Sequence, residues 1–547
     1  MAELAKGSAL DSRWWPYKSL ALFVGLAVLH TWPLATDPAR LSRLDNNDTA
    51  FNTWVVSWVS HQATRNPLHL FQAPIFHPER DTLAYSEHMF VPSMMGAPLH
   101  WAGASPVLVY NLLVMAGLAL SGWTMALVLR QWTGSAAAGV IGGALFAFNA
   151  HLLVRFPHLQ AQHLEFLPLA VAALDRLLTR HRAIDAIALA TAFVLQALCS
   201  NYTMVFLAFA LAAAVAVRPD GWLERGRRTW PLLVAAAALS LIVLLPFLLP
   251  YQRVHAEQGL VRPIEEVARY SAGWPDYLTT GGRLHLATWS AAFTGQTALF
   301  PGLTALGLTL VALGSGRACR DRRARMTLAF GLLGLAFSFG VHLPGYTWLH
   351  AHVLPLQGIR VVGRWGLLTL TAVAVLAAFG ATTIQEFWSR RRLKGWPVAA
   401  AALLALATLE ALRAPLGLVP FDGIPRIYDR LARSPDVAAL VIFPLYPGGN
   451  FNLNAPYLLA QTRHFRPMVN GYSSFAPATF HARANRLQAF PAPAALDELQ
   501  SIGVTDVLLY RQPLEASFGA AALETLKNVS RLEYVLEEDG VIWYRLR

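Results

Sequence analysis

The chain has 547 residues, of which 55% are hydrophobic and only 14% are charged. Soluble domains carry roughly 25% charged residues, so this composition excludes an ordinary soluble protein and indicates one that crosses a membrane several times. Basic residues exceed acidic ones by 12, but they cluster between apolar segments, which is typical of membrane topology and argues against nucleic-acid binding. The cysteines, Cys199 and Cys319, lie in or beside apolar segments and predict no disulfide framework.

Eleven apolar segments are candidate transmembrane helices, since a helix needs roughly 20 mostly apolar residues to cross the bilayer. We expect the first segment to stay as a signal anchor, because it follows a polar stretch and lacks a small-residue cleavage site. The predicted spans are residues 19–36, 104–130, 136–153, 163–178, 184–200, 202–217, 230–250, 297–316, 326–341, 365–386 and 396–412.

The charges between these segments predict the orientation of the chain. With the N-terminus inside, every compact basic cluster falls in an inside loop, in agreement with the positive-inside rule. The inside residues are Lys6, Arg13, Lys18, Arg130, Arg176, Arg180, Arg182, Arg218, Arg225, Arg227, Arg228, Arg317, Arg320, Arg322, Arg323, Arg325, Arg390, Arg391, Arg392 and Lys394. The long polar stretches 37–103, 251–296, 342–364 and 413–547 are then all outside.

The first outside stretch opens with a polar turn that contains Asp45 and Asp48 and leads into a helix with an apolar stripe. A carboxylate there could act as general base on an acceptor hydroxyl or hold a divalent metal against a phosphate leaving group. Asp is also a preferred helix N-cap, so Asp48 has two interpretations, whereas Asp45 fits an interface residue. Glu87 and His88 follow later in the same stretch, and they predict either a second acid–base or metal group or a solvated pair of loop residues.

A dense polar segment with a proline break, residues 151–165, follows the third predicted span. Its residues His158, Gln160 and His163 would point into the same chamber as Asp48 if the third and fourth helices pack near the first. The spacing of the two histidines is not the i, i+4 pair that a helical metal site prefers, so we favour substrate contact. The alternative is a set of interfacial polar residues, although ionisable groups at membrane depth are costly and tend to be functional.

Two arginines, Arg360 and Arg364, lie one helical turn apart at the start of the tenth predicted span. Arginine suits bidentate contact with phosphate, so a lipid phosphate or pyrophosphate is a natural ligand for this pair. Snorkelling towards lipid headgroups is the alternative. The other outside arginines of the later loops are Arg253, Arg262, Arg269 and Arg283.

The last stretch, residues 413–547, differs from the rest because short β-like segments alternate with helical ones. The predicted strands are Ala438–Leu445, Val504–Tyr510 and Val541–Leu546, and the predicted helices are Pro477–Phe490 and Pro493–Ile502. The predicted fold is therefore an α-helical polytopic membrane protein of about 11 transmembrane helices with a C-terminal extracytoplasmic α/β domain. Its domains would be residues 1–412, including the long outside loop 37–103, and residues 413–547.

Short motifs along most of the chain are similar to those of a known family: Asn47–Trp54, Leu83–His88, His158–Gln160, Leu299–Gly302, Gly358–Arg364, Val469–Phe475 and Gly503–Val507. With its long first outside loop and outside C-terminal domain, the chain resembles the GT-C superfamily of polyprenyl-phosphate-sugar-dependent glycosyltransferases. The closer resemblance is to YfhO-like and dolichyl-phosphate-mannose-type bacterial membrane proteins.

This resemblance implies that Asp48 matches the loop carboxylate that GT-C enzymes use as base or metal anchor. The chain lacks an adjacent Asp-Asp or a tight Asp-x-Asp there, so no cofactor is predicted and a divalent metal is not favoured.

The resulting hypothesis is an inverting glycosyl transfer on the outer face of the bacterial cytoplasmic (inner) membrane. The donor would be a polyprenyl-phosphate-linked sugar, with its lipid tail in a membrane groove and its phosphate near Arg360 or Arg364. Asp48 would be the base for a glycan, lipid or protein acceptor. The other predicted substrate-binding residues are Glu87, His88, His158, Gln160 and His163. The alternatives are a transporter or flippase for a lipid-linked glycan, and a catalytically inactive envelope-assembly protein.

Overall fold

The computed structural model describes residues 2–259, 261–518, 523 and 526–547. The chain divides into two compact units, each built from separated segments. Unit 1 comprises Met1–Thr36, Leu112–Leu245 and Val261–Leu416, and unit 2 comprises Asp37–Asn111, Pro246–Leu260 and Gly417–Arg547. The first outside loop therefore groups with the C-terminal stretch, whereas the sequence predicted that it belongs with the transmembrane module.

Helices dominate both units. In chain order they are α1 (Ala2–His30), α2 (Asn47–Arg65), α3 (Phe90–Trp101), α4 (Pro106–Thr133), α5 (Ala136–Ala147), α6 (Ala150–Val154), α7 (Leu159–Gln162), α8 (Phe166–Arg180), α9 (Ala183–Cys199), α10 (Asn201–Ala216), α11 (Pro219–Trp222), α12 (Gly226–Gln258), α13 (Ile264–Arg269), α14 (Arg283–Thr288), α15 (Leu303–Gly314), α16 (Arg317–Arg320), α17 (Arg322–Ser338), α18 (Tyr346–His352), α19 (Leu354–Gln357), α20 (Gly366–Arg390), α21 (Trp396–Ala411), α22 (Ile427–Arg433), α23 (Ala455–Gln461), α24 (Ala478–Arg486), α25 (Pro493–Ser501) and α26 (Arg511–Phe518).

Each of the eleven predicted spans overlaps at least one of these helices, and the span 136–153 overlaps both α5 and α6. Within the described part of the chain, four helices are long and apolar enough to cross a membrane: Pro106–Thr133, Ala136–Val154, Gly226–Gln258 and Val362–Arg390. Four shorter apolar helices are Ala183–Cys199, Asn201–Ala216, Leu303–Gly314 and Trp396–Ala411. Their helical character is as predicted, and the number of helices that cross the bilayer stays a prediction.

Helix α20 is central to unit 1, where it packs against α5, α15 and α17. A side chain at Gly380 would overlap the carbonyl oxygen of Leu308, so glycine allows α20 and α15 to approach closely, as small residues do between membrane helices. Just before α20, Trp365 is fully buried and its ring centroid lies 4.3 Å from that of Phe206. This packing fixes the backbone directly after Arg364.

A buried ion-pair network ties three segments of unit 1 together. The Asp175 carboxylate of α8 accepts hydrogen bonds from Arg218 Nη1 at 2.9 Å and from Arg323 Nε at 2.8 Å. Arg218 also donates to Asp220 Oδ1 at 3.2 Å, and its side chain is fully buried. A buried charge is tolerated only when it is paired in this way, so these arginines stabilise the fold.

Unit 2 contains two sheets. Their strands are β1 (Leu41–Ser42), β2 (Val419–Pro420), β3 (Leu440–Phe443), β4 (Asp506–Tyr510), β5 (Leu532–Glu538) and β6 (Val541–Leu546). β1 pairs antiparallel with β2, and the larger sheet has the order β3-β4-β6-β5, with β3 parallel to β4 and the other pairs antiparallel. The three predicted strands contain β3, β4 and β6, and the two predicted helices contain α24 and α25. β5 is an additional strand.

Candidate functional site

The N-terminus of α2 is capped by Asn46. The Asn46 side-chain oxygen accepts a hydrogen bond from the backbone N–H of Asp48 at 2.9 Å. The interpretation of Asp48 as the cap is therefore wrong: it is the second residue of the helix, in the first turn. A negatively charged side chain in the first turn of a helix interacts favourably with the helix N-terminus.

Tyr472 holds this carboxylate from the C-terminal part of unit 2. Its hydroxyl donates a hydrogen bond to Asp48 Oδ1 at 2.7 Å. The Tyr472 ring also meets Phe51 of α2 edge-on, with a centroid separation of 5.5 Å. Hydrogen bonds to an ionised acceptor are stronger than neutral ones, so Tyr472 orients Asp48.

The segment that carries Tyr472 is fixed on both sides. Asn470 is fully buried, and its side chain both accepts from Ile442 N at 2.7 Å and donates to Ile442 O at 2.8 Å on strand β3. Its backbone carbonyl accepts from Phe76 N of the first loop at 3.2 Å. The next residue, Gly471, lies so close to the Phe76 ring that a Cβ would overlap it. The first loop and the tail thus jointly place the Tyr472 hydroxyl.

Asp45 has a different environment from Asp48. Arg43 donates two hydrogen bonds to it, from Nε to Oδ1 at 2.9 Å and from Nη2 to Oδ2 at 3.1 Å. Both oxygens of the exposed Asp45 side chain are engaged by the half-buried Arg43 of the same turn. This geometry supports the choice of Asp48 over Asp45 as the candidate base.

Glu87 and His88 are both buried in unit 2. His88 Nδ1 accepts a hydrogen bond from the Phe90 backbone N–H at 3.0 Å, and its ring lies among aromatic rings, with Phe247 at 5.3 Å between centroids. Burial lowers the pKa of His88 to about 4. His88 is therefore neutral and packed in place at physiological pH, and a substrate-binding role for the pair stays a prediction.

In unit 1, arginines surround His158, which precedes α7. Burial and then the positive charges of Arg155, Arg364 and Arg360 hold the pKa of His158 well below its usual value. Three residues predicted from two separate motifs, His158 from one and Arg360 and Arg364 from the other, thus lie near each other. Arg155 is an addition that the sequence did not single out, and its Nη1 lies 3.3 Å from His151 Nε2.

Tyr202, at the start of α10, organises two of these arginines. Its hydroxyl accepts a hydrogen bond from the Arg360 backbone N–H at 3.1 Å, and its ring lies under the Arg364 guanidinium, 4.7 Å from the centroid. Arg360 similarly lies over the Tyr270 ring at 5.7 Å. Contact with a ring face holds a guanidinium in place while its N–H edge can still bind phosphate.

A fourth arginine, Arg262, belongs to the same neighbourhood. Its Nη1 lies 3.4 Å from Glu266 Oε2, and Arg360 Nη1 lies 3.9 Å from Glu266 Oε1. Burial and then the charge of Arg360 lower the pKa of Arg262. We refer to Arg155, Arg262, Arg360 and Arg364 as the arginine cluster. A cluster of this kind is suited to binding a phosphate group.

Gln160 and His163 are buried a few residues beyond His158. His163 Nδ1 is hydrogen-bonded to Glu165 Oε1 at 2.9 Å, and the His163 carbonyl accepts from Gln196 Nε2 at 2.9 Å. Its ring packs against Gly117 of α4. These contacts are those of a residue between helices, and substrate binding by Gln160 and His163 stays a prediction.

Among the described residues, no group of three or more His, Cys, Asp or Glu side chains could hold a metal ion. The expected metal independence itself stays a prediction.

No protein-family model and no curated protein matches the chain. Solved structures do match. The arabinofuranosyltransferase AftD from Mycobacteria superposes with a TM-score of 0.59 and 17% identity, over 98% of this chain and 40% of that chain. ArnT from Cupriavidus metallidurans, bound to undecaprenyl phosphate, superposes with a TM-score of 0.51 and 14% identity, over 96% of this chain and 97% of ArnT.

The fold is that of the GT-C glycosyltransferases. The GT-C resemblance predicted from the motifs is confirmed at this level, and the protein is a membrane protein. At identities of 14–17% the likeness concerns the fold alone. This chain spans 40% of the length of AftD.

Three residues that lie beside predicted site residues, two in unit 1 and one in unit 2, were not selected from the sequence. Arg155 lies inside the polar segment 151–165, where its charge among histidines is a usable signal. Tyr472 lies in the motif Val469–Phe475, but nothing in that motif points to Asp48. Tyr202 follows the short break between two predicted spans, where a tyrosine is an ordinary interfacial residue.

Proposed function

We propose that the protein is an inverting glycosyltransferase that moves a sugar from a polyprenyl-phosphate-linked donor to a hydroxyl group of an extracytoplasmic glycan, lipid or protein. The observation that carries this proposal is the arginine cluster on a GT-C fold. ArnT, which shares that fold, has been solved with undecaprenyl phosphate bound. The proposed location is the bacterial cytoplasmic membrane, with the N-terminus inside.

The arginine cluster would bind the donor phosphate. Arg360 and Arg364 are held by tyrosine rings at 5.7 and 4.7 Å, which keeps their forked N–H groups in a fixed position for bidentate contact. Neutral His158 can add a hydrogen bond without losing or gaining a proton near pH 7. As the sugar leaves, negative charge builds up on the phosphate, and fixed guanidinium groups stabilise it.

Asp48 would accept the proton of the acceptor hydroxyl. The acceptor oxygen attacks the anomeric carbon, the bond from that carbon to the phosphate oxygen breaks, and polyprenyl phosphate leaves with the bonding electrons. One displacement inverts the anomeric configuration. The phosphate needs no proton to leave at neutral pH, so one base is sufficient. Tyr472 fixes Asp48 Oδ1 and thereby sets the direction of the second oxygen.

The phosphate-binding step can be tested with two lipids that differ only in that group. Native mass spectrometry of the full-length protein in detergent should show binding of undecaprenyl phosphate but about tenfold weaker binding of undecaprenol, since bidentate arginine–phosphate contacts are lost. The double variant Arg360→Gln/Arg364→Gln should bind both lipids equally. Arg269→Gln removes an exposed arginine that was predicted to lie on the same side and should keep the preference. Equal binding of the two lipids by the wild type would refute the phosphate site.

The chemical step can be tested with Asp48→Asn. Purified protein is incubated with undecaprenyl-phosphate-linked pentoses and hexoses together with cell-envelope glycans, lipids and proteins as hydroxyl acceptors, and release of undecaprenyl phosphate is measured. We expect the variant to bind undecaprenyl phosphate normally but to lose turnover by about 10²–10⁴-fold, the usual contribution of a general base. Asp45→Asn is the matched control and should turn over normally. Full turnover by Asp48→Asn would remove Asp48 from the mechanism, and a transporter would show no release with any donor.

A further inference from the structure

The turn between α11 and α12 in unit 1 carries three exposed arginines, Arg225, Arg227 and Arg228. Among the described residues, none of the three forms an ion pair with a carboxylate. We refer to residues 222–230 as the basic turn. Glu224 lies in the same turn without an ion pair to any of the three, and Arg225 Nη1 lies 3.5 Å from His181 Nε2. The three arginines exceed this single carboxylate by two charges and repel each other, so the arrangement favours an anion from outside the chain.

Other arginines that were predicted to lie on the same side of the membrane differ in this respect. Arg317 Nη2 lies 2.9 Å from Glu386 Oε1, and Arg323 Nε lies 2.8 Å from Asp175 Oδ2. Those residues serve the fold. The positive-inside rule by itself would explain charge in the basic turn, but it does not explain the aromatic and apolar side chains that accompany it.

Two tryptophans flank the arginines of the basic turn. The rings of Trp222 and Trp230 lie 6.2 Å apart and, together with the residues between them, line an open recess. The Trp222 indole Nε1 is buried and has no hydrogen-bond acceptor in the described part of the chain. A buried donor of this kind costs free energy unless a ligand oxygen accepts from it. Leu223, 68% exposed, extends the apolar rim.

An apolar stripe continues from the basic turn along α12. Trp230, Val234, Leu241 and Leu245 are exposed at 48%, 63%, 57% and 46%, and their spacing of four, seven and four residues puts them on one helix face. Tryptophan at the headgroup level and aliphatic side chains beyond it are typical of a helix end at a membrane interface. The stripe could therefore lie along acyl chains while the arginines meet a headgroup.

We infer that the basic turn binds the headgroup of an anionic phospholipid. The phosphate would lie between the guanidinium groups, a headgroup or phosphate oxygen would accept from Trp222 Nε1, and the acyl chains would follow the stripe on α12. This site is separate from the proposed donor site, since it uses none of the residues of the arginine cluster. Its occupancy by lipid would favour the folded protein by mass action.

The experiment is native mass spectrometry of the full-length protein with phosphatidylglycerol and, separately, phosphatidylcholine of the same acyl chains. We expect the wild type to bind phosphatidylglycerol at least about tenfold more tightly, since each arginine near an anionic lipid surface adds to the attraction. The triple variant Arg225→Gln/Arg227→Gln/Arg228→Gln should lose this preference. Trp230→Ala should weaken the binding of both phosphatidylglycerol and phosphatidylcholine, because it removes part of the apolar rim.

The matched control is the triple variant Arg390→Gln/Arg391→Gln/Arg392→Gln, which removes the same charge from another exposed basic segment. It should keep the preference for phosphatidylglycerol. An equal loss of preference in both triple variants would mean a general effect of charge and would overturn the site.

Inorganic phosphate at millimolar concentration should not displace the lipid. Displacement by phosphate alone would identify a phosphate site and would also overturn the proposal. A melting curve of each triple variant checks that the fold is retained.

Discussion

Unit 1 contains two groups of arginines whose guanidinium groups have different partners. Around Asp175, the guanidinium groups of Arg218 and Arg323 lie 2.9 and 2.8 Å from carboxylate oxygens. In the arginine cluster, the ion pairs to Glu266 are longer, at 3.4 and 3.9 Å, and Arg364 lies on the ring of Tyr202. Short ion pairs use the N–H edges of an arginine, whereas ring contact leaves those edges for a ligand.

From this difference we expect the Asp175 network to stabilise the fold and the arginine cluster to bind the proposed donor phosphate. Removal of a partner from the Asp175 network should reduce stability, whereas removal of an arginine from the cluster should reduce binding of phosphate. Asp48 and Asp45 in unit 2 show a similar contrast. Asp48 accepts a hydrogen bond from the neutral Tyr472 hydroxyl, whereas Asp45 forms an ion pair with Arg43.

The largest effect should come from Asp175→Asn. The substitution removes the closer of the two carboxylates that pair with buried Arg218 and also removes the carboxylate partner of Arg323. This loss should cost up to about 3–5 kcal/mol of folding free energy. We expect poor yield and a markedly lower melting temperature in detergent, with Asp45→Asn as an exposed control that changes neither. An Asp175→Asn protein that melts like the wild type would break the comparison, since the network would then not be a stabilising one.

The next effect concerns Arg364. Arg364→Gln should weaken undecaprenyl phosphate binding by about ten- to a hundredfold, because a charge-assisted bidentate contact is lost. Arg364→Lys should restore only part of the affinity, since an ammonium group cannot bind phosphate through two parallel N–H groups and cannot stack on the Tyr202 ring as a planar guanidinium does. Both proteins should melt close to the wild type. A strong loss of stability in Arg364→Gln, with unchanged lipid binding, would place Arg364 among the structural arginines.

A smaller effect should separate the two functions of Tyr202. Tyr202→Phe keeps the ring under Arg364 but removes the hydroxyl that accepts from Arg360 N. Tyr202→Leu removes both, so it should weaken undecaprenyl phosphate binding by several-fold more than Tyr202→Phe, in line with about 0.5–2 kcal/mol for a cation–π contact. If the two variants bind the lipid equally, the ring contributes nothing to the position of Arg364.

The smallest effect is expected in a pH profile. His158 has a pKa well below its usual value because of burial and the nearby arginines. It is neutral in the folded protein, and its protonation belongs to acidic pH. Undecaprenyl phosphate binding measured from pH 6.5 to 8.5 should therefore have the same pH dependence in the wild type and in His158→Gln. A histidine-like step near pH 7 that disappears in the variant would show that His158 titrates in this range.

The sequence predicted the regular elements better than the contacts between them. Apolar segments predicted the helices of unit 1, and β-branched segments predicted β3, β4 and β6, because both patterns are local. β5 was missed because Glu533, Glu537 and Glu538 obscure its alternation. Asn46 rather than Asp48 caps α2, and sequence alone could not choose between two good capping residues.

The candidate site was predicted in part. His158 was selected from one motif and the pair Arg360 and Arg364 from another, but only helix packing brings the two motifs together. The bond from Tyr472 to Asp48 joins residues 424 positions apart, and no local pattern encodes such a pair. The grouping of residues 37–111 with residues 417–547 in unit 2 likewise depends on contacts between residues far apart in the sequence, which no local pattern encodes.

The paired segments of unit 2 have a consequence for biosynthesis. β1 pairs with β2, Phe76 pairs with Asn470, and Asp48 receives the hydroxyl of Tyr472. In each pair, one partner precedes residue 112 and the other follows residue 416, so the long segments of unit 1 lie between them in the chain. The ribosome therefore delivers every helix of unit 1 before the Asp48 environment can be completed. A nascent or prematurely terminated chain that ends before Tyr472 would carry the Asp48 carboxylate without the residue that orients it, so the proposed activity would require a chain that extends beyond Tyr472.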